Sequence, residues 1–297
     1  MIIDAPNLSL LFEGFKTTFN KGFEGAQSVY DRIAMTVPSN TSQEQYGWMK
    51  QIPDIREWIG PRAVHNLAVA GFTIANRNFE LTISVDRDSI MDDQFGVFGP
   101  LFSDMGRRTK EHPDRLVFEL VANGFTASCF DGQPFFDTDH PVKQADETDA
   151  SVSNVQAGAS EPWYLFDTTK ALKPFVYQLR KPFDFVRKDR PEDDNVFNNR
   201  EFIYGVDGRS NVGFGLWQLA FGSKAPLGAT HYKAARAAMM GMVGDYDRKL
   251  GVNPNLLICG PGNEEAARKL LNSEYGDGGE SNPWKGSADL LVTPWVG

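Results

Sequence analysis

Only two cysteines, Cys129 and Cys259, stand among 297 residues. They are too few for a disulfide scaffold and lack the CxxC spacing of a zinc or redox site. Both are expected to be small, buried, apolar side chains. Histidine is sparse as well, with His65, His112, His140 and His231 making up the set, which leaves few imidazoles to converge on a catalytic centre. No apolar run is long enough to cross a bilayer. The N-terminus, MIIDAPNLSLLFEGF, places Asp4 and Glu13 where a secretory signal would carry Lys or Arg, so neither a membrane span nor export by a cleaved signal is expected. Basic residues are outnumbered, 30 Lys and Arg against 39 Asp and Glu, for a net charge of −9. That balance argues against a surface built to grip phosphate, which releases counterions only where Lys and Arg are dense.

What the chain does have is core material: 41% hydrophobic and 12% aromatic residues over a length that suits one or two domains. Leu8, Leu11, Phe12, Phe15 and Phe19 recur at spacings of three and four after Asn7, predicting an amphipathic helix over 8–20 with Asn7 as its cap. Gly22, Gly25 and the polar run 38–44 then loosen the chain. From Phe72 to Asp86 the period becomes two, with Phe79, Leu81, Ile83 and Val85 alternating with polar residues, which predicts a half-buried strand, or two broken near Asn76. With the turn chemistry at Gly60, Pro61 and Gly71, residues 45–88 read as a long β-hairpin. A lone hairpin is marginal in water and needs a cover, either a neighbouring subunit or a larger sheet of its own domain.

A helical stretch follows Asp92, with Val97, Leu101, Phe102 and Met105 on one face. A second piece spans 114–123, and Pro113 between them puts the continuity of one long helix in doubt. Residues 143–161 are small, polar and acidic and read as a surface loop or a partly disordered insertion. Antiparallel strands are expected up to about Phe221, interrupted at 187–194. Next come a helix from Thr230 to Leu250 ended by Gly251, a short strand 255–259, a helix from Asn263 and a last strand 289–293.

Three places invite a chemical reading. Asp131, Asp137, Asp139 and His140 bring oxygen and imidazole ligands close enough for a divalent metal, and a metal-dependent hydrolase is the enzyme such a cluster would serve. The competing reading is a structural turn, Asp131-Gly132, in which the carboxylates satisfy backbone N–H groups. It is preferred because converging partners are lacking, so no metal, cofactor or catalytic residue is assigned. The strand-turn-helix at 256–271 lacks both GxxxxGK[ST] and GxGxxG and sets Glu264 and Glu265 where an anion would bind. Gly208-Arg209-Ser210 begins a nucleophile elbow but has Val212 where the motif needs Gly. Arg56-Glu57-Trp58 and Arg77, Phe79 and Glu80 interleave charge with aromatics, a composition suited to subunit contacts and equally to ion pairs within one subunit.

The ordered set of segments FDGQPFFDTDHP (130–141), REWIG (56–60), NFELTISV (78–85), DDQFG (92–96), PWYLFD (162–167), YGVDGR (204–209), LWQ (216–218) and NPWKG (282–286) resembles the Mu-like phage major head subunit, a gpT-type, HK97-like shell protein. The likeness covers nearly the whole chain. It implies an α+β fold with an N-terminal arm (1–44), an extended β-hairpin loop lying across an adjacent subunit (45–88), a mainly peripheral domain with a long spine helix (89–225) and a mainly axial domain (226–297). The function it implies is not enzymatic: self-assembly into pentamers and hexamers of an icosahedral phage head around double-stranded DNA, without sequence-specific binding. Scaffold, portal and other head proteins are the implied partners, with assembly in the host cytoplasm and residence in the virion capsid. A cellular nanocompartment shell of the same fold is the nearest alternative.

Overall fold

The computed structural model describes residues 4–46, 72–92, 95–144, 146–276 and 278–296. The first helix, α1 (Ala5–Gly25), begins earlier than its apolar spacing suggests. Asp4, not Asn7, caps it by accepting the Asn7 N–H at 2.9 Å, and Pro6 sits in the first turn, where a missing N–H is harmless. Leu8, Leu11, Phe15 and Phe19 form its buried face, as their spacing requires. Then come β1 (Ala34–Pro38), β2 (Gln43–Gln45), β3 (Thr73–Ala75) and β4 (Arg77–Asp86), the last two divided at Asn76. Exposure along β4 alternates with the predicted period of two.

A short helix, α2 (Arg87–Met91), leads to α3 (Phe95–Asn123), which runs unbroken through Pro100 and Pro113. Proline in a helix interior costs about 3 kcal/mol. Here burial on both sides of Pro113 offsets it: Phe102 and Met105 enter one hydrophobic core, Val117, Phe118 and Val121 another. Val97 and Leu101, expected on the same buried face, are instead 67% and 45% exposed.

Beyond α3 follow β5 (His140–Lys143), β6 (Asp149–Val152), β7 (Val155–Gln156), β8 (Trp163–Phe166) and β9 (Phe175–Lys188). Next are α4 (Asp194–Asn199), β10 (Glu201–Phe214), β11 (Ala220–Ser223) and α5 (Ala229–Met240), and last β12 (Val243–Gly244), β13 (Arg248–Lys249), β14 (Leu256–Cys259), α6 (Glu264–Asn272) and β15 (Asp289–Val292). Residues 143–161 are therefore not a simple loop. β5 pairs with β6 as a hairpin, and β7 joins a larger sheet. The helix read as reaching Leu250 stops at Gly241. The chain turns back through Tyr246 and Asp247, both left-handed at φ 62° and 56°, to pair β12 with β13.

Two sheets carry the architecture. In the first, ordered β1-β9-β10-β4, β4 lies antiparallel to β10 from Asp86 opposite Glu201 to Arg77 opposite Ser210. Residues 77–86 thus extend a sheet of their own subunit, the second of the two covers expected for them, while residues 47–71 of the 45–88 segment lie outside the described residues. Their apolar alternation fits either role, and only the pairing partner decides. α1 and α3 cover this sheet through Phe15, Phe19, Phe102, Phe185 and Tyr204. The second sheet, ordered β15-β14-β8-β11-β7, unites residues 155–166 and 220–223 with 256–292, so a division at residue 225 cuts through it. Trp163, Tyr164, Leu257 and Ile258 fill its core with Tyr232 of α5 and Leu270 of α6. Cys129 and Cys259 are buried free thiols, each pushed above its ordinary range chiefly by burial.

Candidate functional site

The acidic segment after α3 folds as two separate pieces. Residues 128–134 make a tight turn in which the Cys129 N–H donates to the Gln133 carbonyl at 2.8 Å and Gly132 takes φ 93°, a conformation suited to glycine. The turn aims Asp131 inward. His140, fully buried at the start of β5, places Nδ1 2.7 Å from Asp131 Oδ2, and its ring stacks on Trp217 at 3.9 Å between centroids. Asp131 Oδ1 also accepts from Cys129 Sγ at 3.0 Å and from the Gln133 N–H at 3.1 Å. Burial pushes the Asp131 carboxyl up, but the donors converging on it outweigh burial and hold it below its ordinary range.

Asp137 and Asp139 point elsewhere. Asp137 accepts from the Thr138 N–H, and Asp139 accepts from the Ser151 hydroxyl across the β5–β6 hairpin. Of the four residues singled out by sequence, the structure brings together Asp131 and His140 and adds Cys129, the three lying with ligand atoms within 4.8 Å of one another. Cys129, Asp131 and His140 are a conceivable metal set. Yet the carboxylate already accepts from both partners, and a stacked indole covers the imidazole. The arrangement ties the end of α3 to β5 and to the segment before β11. Asn154, not singled out by sequence, completes it: its amide donates to the carbonyls of Phe135 (2.8 Å) and Trp217 (3.3 Å) and accepts the Asp137 N–H (2.9 Å).

The candidate contact residues divide. Arg56, Glu57 and Trp58 lie outside the described residues. Arg77, Phe79 and Glu80 lie on β4, at an edge of the first sheet. The Arg77 guanidinium lies 5.3 Å from the Phe79 ring centroid, and that ring meets His112 of α3 edge-on at 4.3 Å. Glu80 is exposed and accepts from Thr82. Phe183 closes the other side of His112 at 5.4 Å, and no described residue pairs with its Nε2. Burial first, then the positive charges of Arg115 and Arg77, lowers His112 to about 4.

A neutral His112 therefore stabilises the fold fully above its ordinary value of about 6.5, and that contribution is lost as pH falls from there through about 4. Because the ring is partly exposed, we expect about 1–2 kcal/mol after screening. His112→Phe, which keeps the aromatic contacts, should flatten the fall in denaturation midpoint between pH 6.5 and 4. An unchanged slope would remove His112 as its source.

Asp114, one turn into the second half of α3, holds the chain that follows α1. Its Oδ1 accepts from Ser28 Oγ (3.0 Å) and from the N–H groups of Val29 (2.9 Å) and Tyr30 (2.6 Å). Its buried carboxyl is raised above the usual range by desolvation against those three bonds. Sequence reading passed over Asp114 because an Asp following Pro looks like an ordinary helix start.

Comparison with known proteins places this architecture. The signature of the family described as Mu-like prophage major head subunit gpT matches residues 8–296. The major capsid protein of Escherichia phage Mu is 37% identical over 305 aligned positions, covering 100% of both chains. The Mu-like prophage FluMu major head subunit of Haemophilus influenzae is 40% identical over 89% of this chain and 88% of its own. Among solved structures, the procapsid of bacteriophage JBD30 superposes with a TM-score of 0.88 at 39% identity, covering 99% of this chain and 100% of that one. The two sheets bridged by one long helix are thus an α+β fold of the HK97-like shell type, and the chain belongs to the Mu-like prophage major head subunit gpT family.

Proposed function

We propose that this chain is the major head subunit from which a phage shell is built, with pentamers and hexamers enclosing double-stranded DNA. The observation that carries this reading is similarity along the full length to the Mu major capsid protein and to the JBD30 procapsid subunit. The net charge of −9 is in keeping with a container that does not grip its polyanionic contents. No catalytic role is proposed, and the Asp131–His140 pair serves the fold. The first sheet with α1 and α3 is read as the peripheral part, with α3 as spine. The second sheet with α5 and α6 is read as the axial part, and the chain between β2 and β3 as the loop that overlaps a neighbour. Scaffold, portal and other head proteins are the proposed partners, in the host cytoplasm before the virion is complete.

The test is expression of the full chain with its head proteins, followed by electron microscopy of the particulate fraction. Closed shells or sheets of capsomers are expected. A folded subunit that stays monomeric with those partners present would overturn the proposal. Purified particles holding a protein cargo in place of DNA would assign the chain to a nanocompartment.

A further inference from the structure

We infer that Gln178 is a positioning residue that sets the direction in which the chain leaves the body after β2 and returns at β3. This inference rests on the reading of that excursion as the overlapping loop. β2 and β3 pair over only three residues each, Gln43 opposite Ala75 through Gln45 opposite Thr73. A ladder that short has no orientation of its own. Its side chains contribute apolar burial, with Tyr46 and Ile74 packed against Val176, but hydrophobic contact is non-directional. Direction comes from hydrogen bonds.

Gln178 lies on β9 and is fully buried. Its Oε1 accepts from Tyr46 Oη at 2.8 Å, on the outgoing stem. Its Nε2 donates to the Ile74 carbonyl at 3.0 Å and to Asn76 Oδ1 at 2.8 Å, on the returning stem. One side-chain amide thus holds both stems at once. The ties continue outward. Asn76 Nδ2 donates to Ser39 Oγ (2.8 Å) and to the Thr41 carbonyl (2.9 Å), and Ser39 Oγ donates to Glu44 Oε1 (2.9 Å). Two further bonds anchor the root to the sheet: Arg180 of β9 to the Ser39 carbonyl at 3.1 Å, and Asn211 of β10 to the Ala75 carbonyl at 2.6 Å.

A buried polar network whose members are paired specifies one geometry, because any rotation strands several groups away from water together. The stems and the β9–β10 pair therefore move as one body. The two ends, Tyr46 and Phe72, joined by the Tyr46 N–H to the Phe72 carbonyl at 2.9 Å, are thereby held at a fixed angle to the peripheral sheet. In a closed shell, that angle is a determinant of how neighbouring subunits meet.

Gln178→Met tests this, since methionine keeps the length of the side chain and removes all three bonds. Hydrogen exchange on the full chain is expected to be roughly tenfold or more faster at 43–46 and 73–76, with β9 and β10 protected as before. Co-expression with the head proteins is expected to give open or irregular assemblies where the native chain gives closed uniform ones. Unchanged exchange at the stems would overturn the inference, and so would loosened stems with native, closed shells. Should Gln178→Met fail to fold, Tyr46→Phe removes a single bond and leaves the amide paired with Ile74 and Asn76. Faster exchange confined to 43–46 supports the inference, and no change refutes it. If the native chain itself builds no shell, it is the proposed function that fails, and the exchange measurement alone decides the role of Gln178.

Discussion

Replacing Gly106 by valine should destabilise the subunit by about 3 kcal/mol and part the N-terminal helix from the long helix. The two run alongside each other in the same direction. Phe15 stacks on Phe102 at 4.1 Å between ring centroids, and Lys110 Nζ lies 5.1 Å from the Phe23 ring. Their backbones meet at two glycines. A Cβ on Gly106 would overlap the Phe19 carbonyl oxygen and lie 2.8 Å from the Phe23 nitrogen, and one on Gly22 would overlap the Ser103 carbonyl. These obstacles are backbone, so no rotamer change relieves them, and the helices must separate.

Gly14 supplies the control. It lies in α1 with nothing within 4 Å of an added Cβ, so Gly14→Ala should stabilise by about 0.5–1 kcal/mol through helix propensity alone. Denaturant midpoints of the two variants should therefore move in opposite directions. If Gly106→Val left the midpoint unchanged, the close crossing would carry no weight in the fold. In the assembled particle, the same variant should lose α1 as an ordered element.

The second large effect is expected at Asp131. Asp131→Ala removes the acceptor for His140 Nδ1, Cys129 Sγ and the Gln133 N–H together, at a site where the imidazole is wholly buried beneath Trp217. Each buried donor left without its acceptor costs about 1–3 kcal/mol. Asp131→Asn keeps the shape and one acceptor oxygen and should lose less. Both variants should be read by calorimetry beside a metal assay of the native protein. A stoichiometric metal that vanishes in Asp131→Ala, with stability intact, would reassign Cys129, Asp131 and His140 as ligands and revive the hydrolase reading.

The pH dependence carries a separate sign. Because the Asp131 carboxyl is held below its ordinary range, its contribution is present above the unfolded value near 3.9 and is lost as pH falls through the folded one. It therefore fails at lower pH than the contribution of His112, and the two steps can be resolved by variants that remove one at a time.

Particular elements show how far one-dimensional patterns reach. The spacing of Leu8, Leu11, Phe15 and Phe19 and the alternation of Phe79, Leu81, Ile83 and Val85 each predicted an element that formed, because a helix and a strand bury one face at 3.6- and 2-residue periods whatever they pack against. The same rules put the continuity of α3 in doubt at Pro113, although the helix runs through it. Burial of α3 in two cores outweighed a local penalty that sequence alone registers. They misread 230–250 as one helix because Met242 and Leu250 keep helical spacing while lying on either side of a hairpin whose turn holds Tyr246 left-handed, a conformation bulky side chains rarely adopt. They took 143–161 for a loop because its residues are small and polar, although Asn154 is fully buried and bonded on three sides.

What the sequence by itself determined was the set of amphipathic segments, the lack of disulfide or CxxC chemistry, and, through ordered motifs from Arg56 to Gly286, the family. Which polar side chains hold the fold together was decided by tertiary structure alone. Tyr46 meets Gln178 across 132 positions, Ser28 meets Asp114 across 86, and Asn154 meets Trp217 across 63. A buried polar group is identified by the partner that satisfies it, and partners so far apart along the chain leave no local pattern to read.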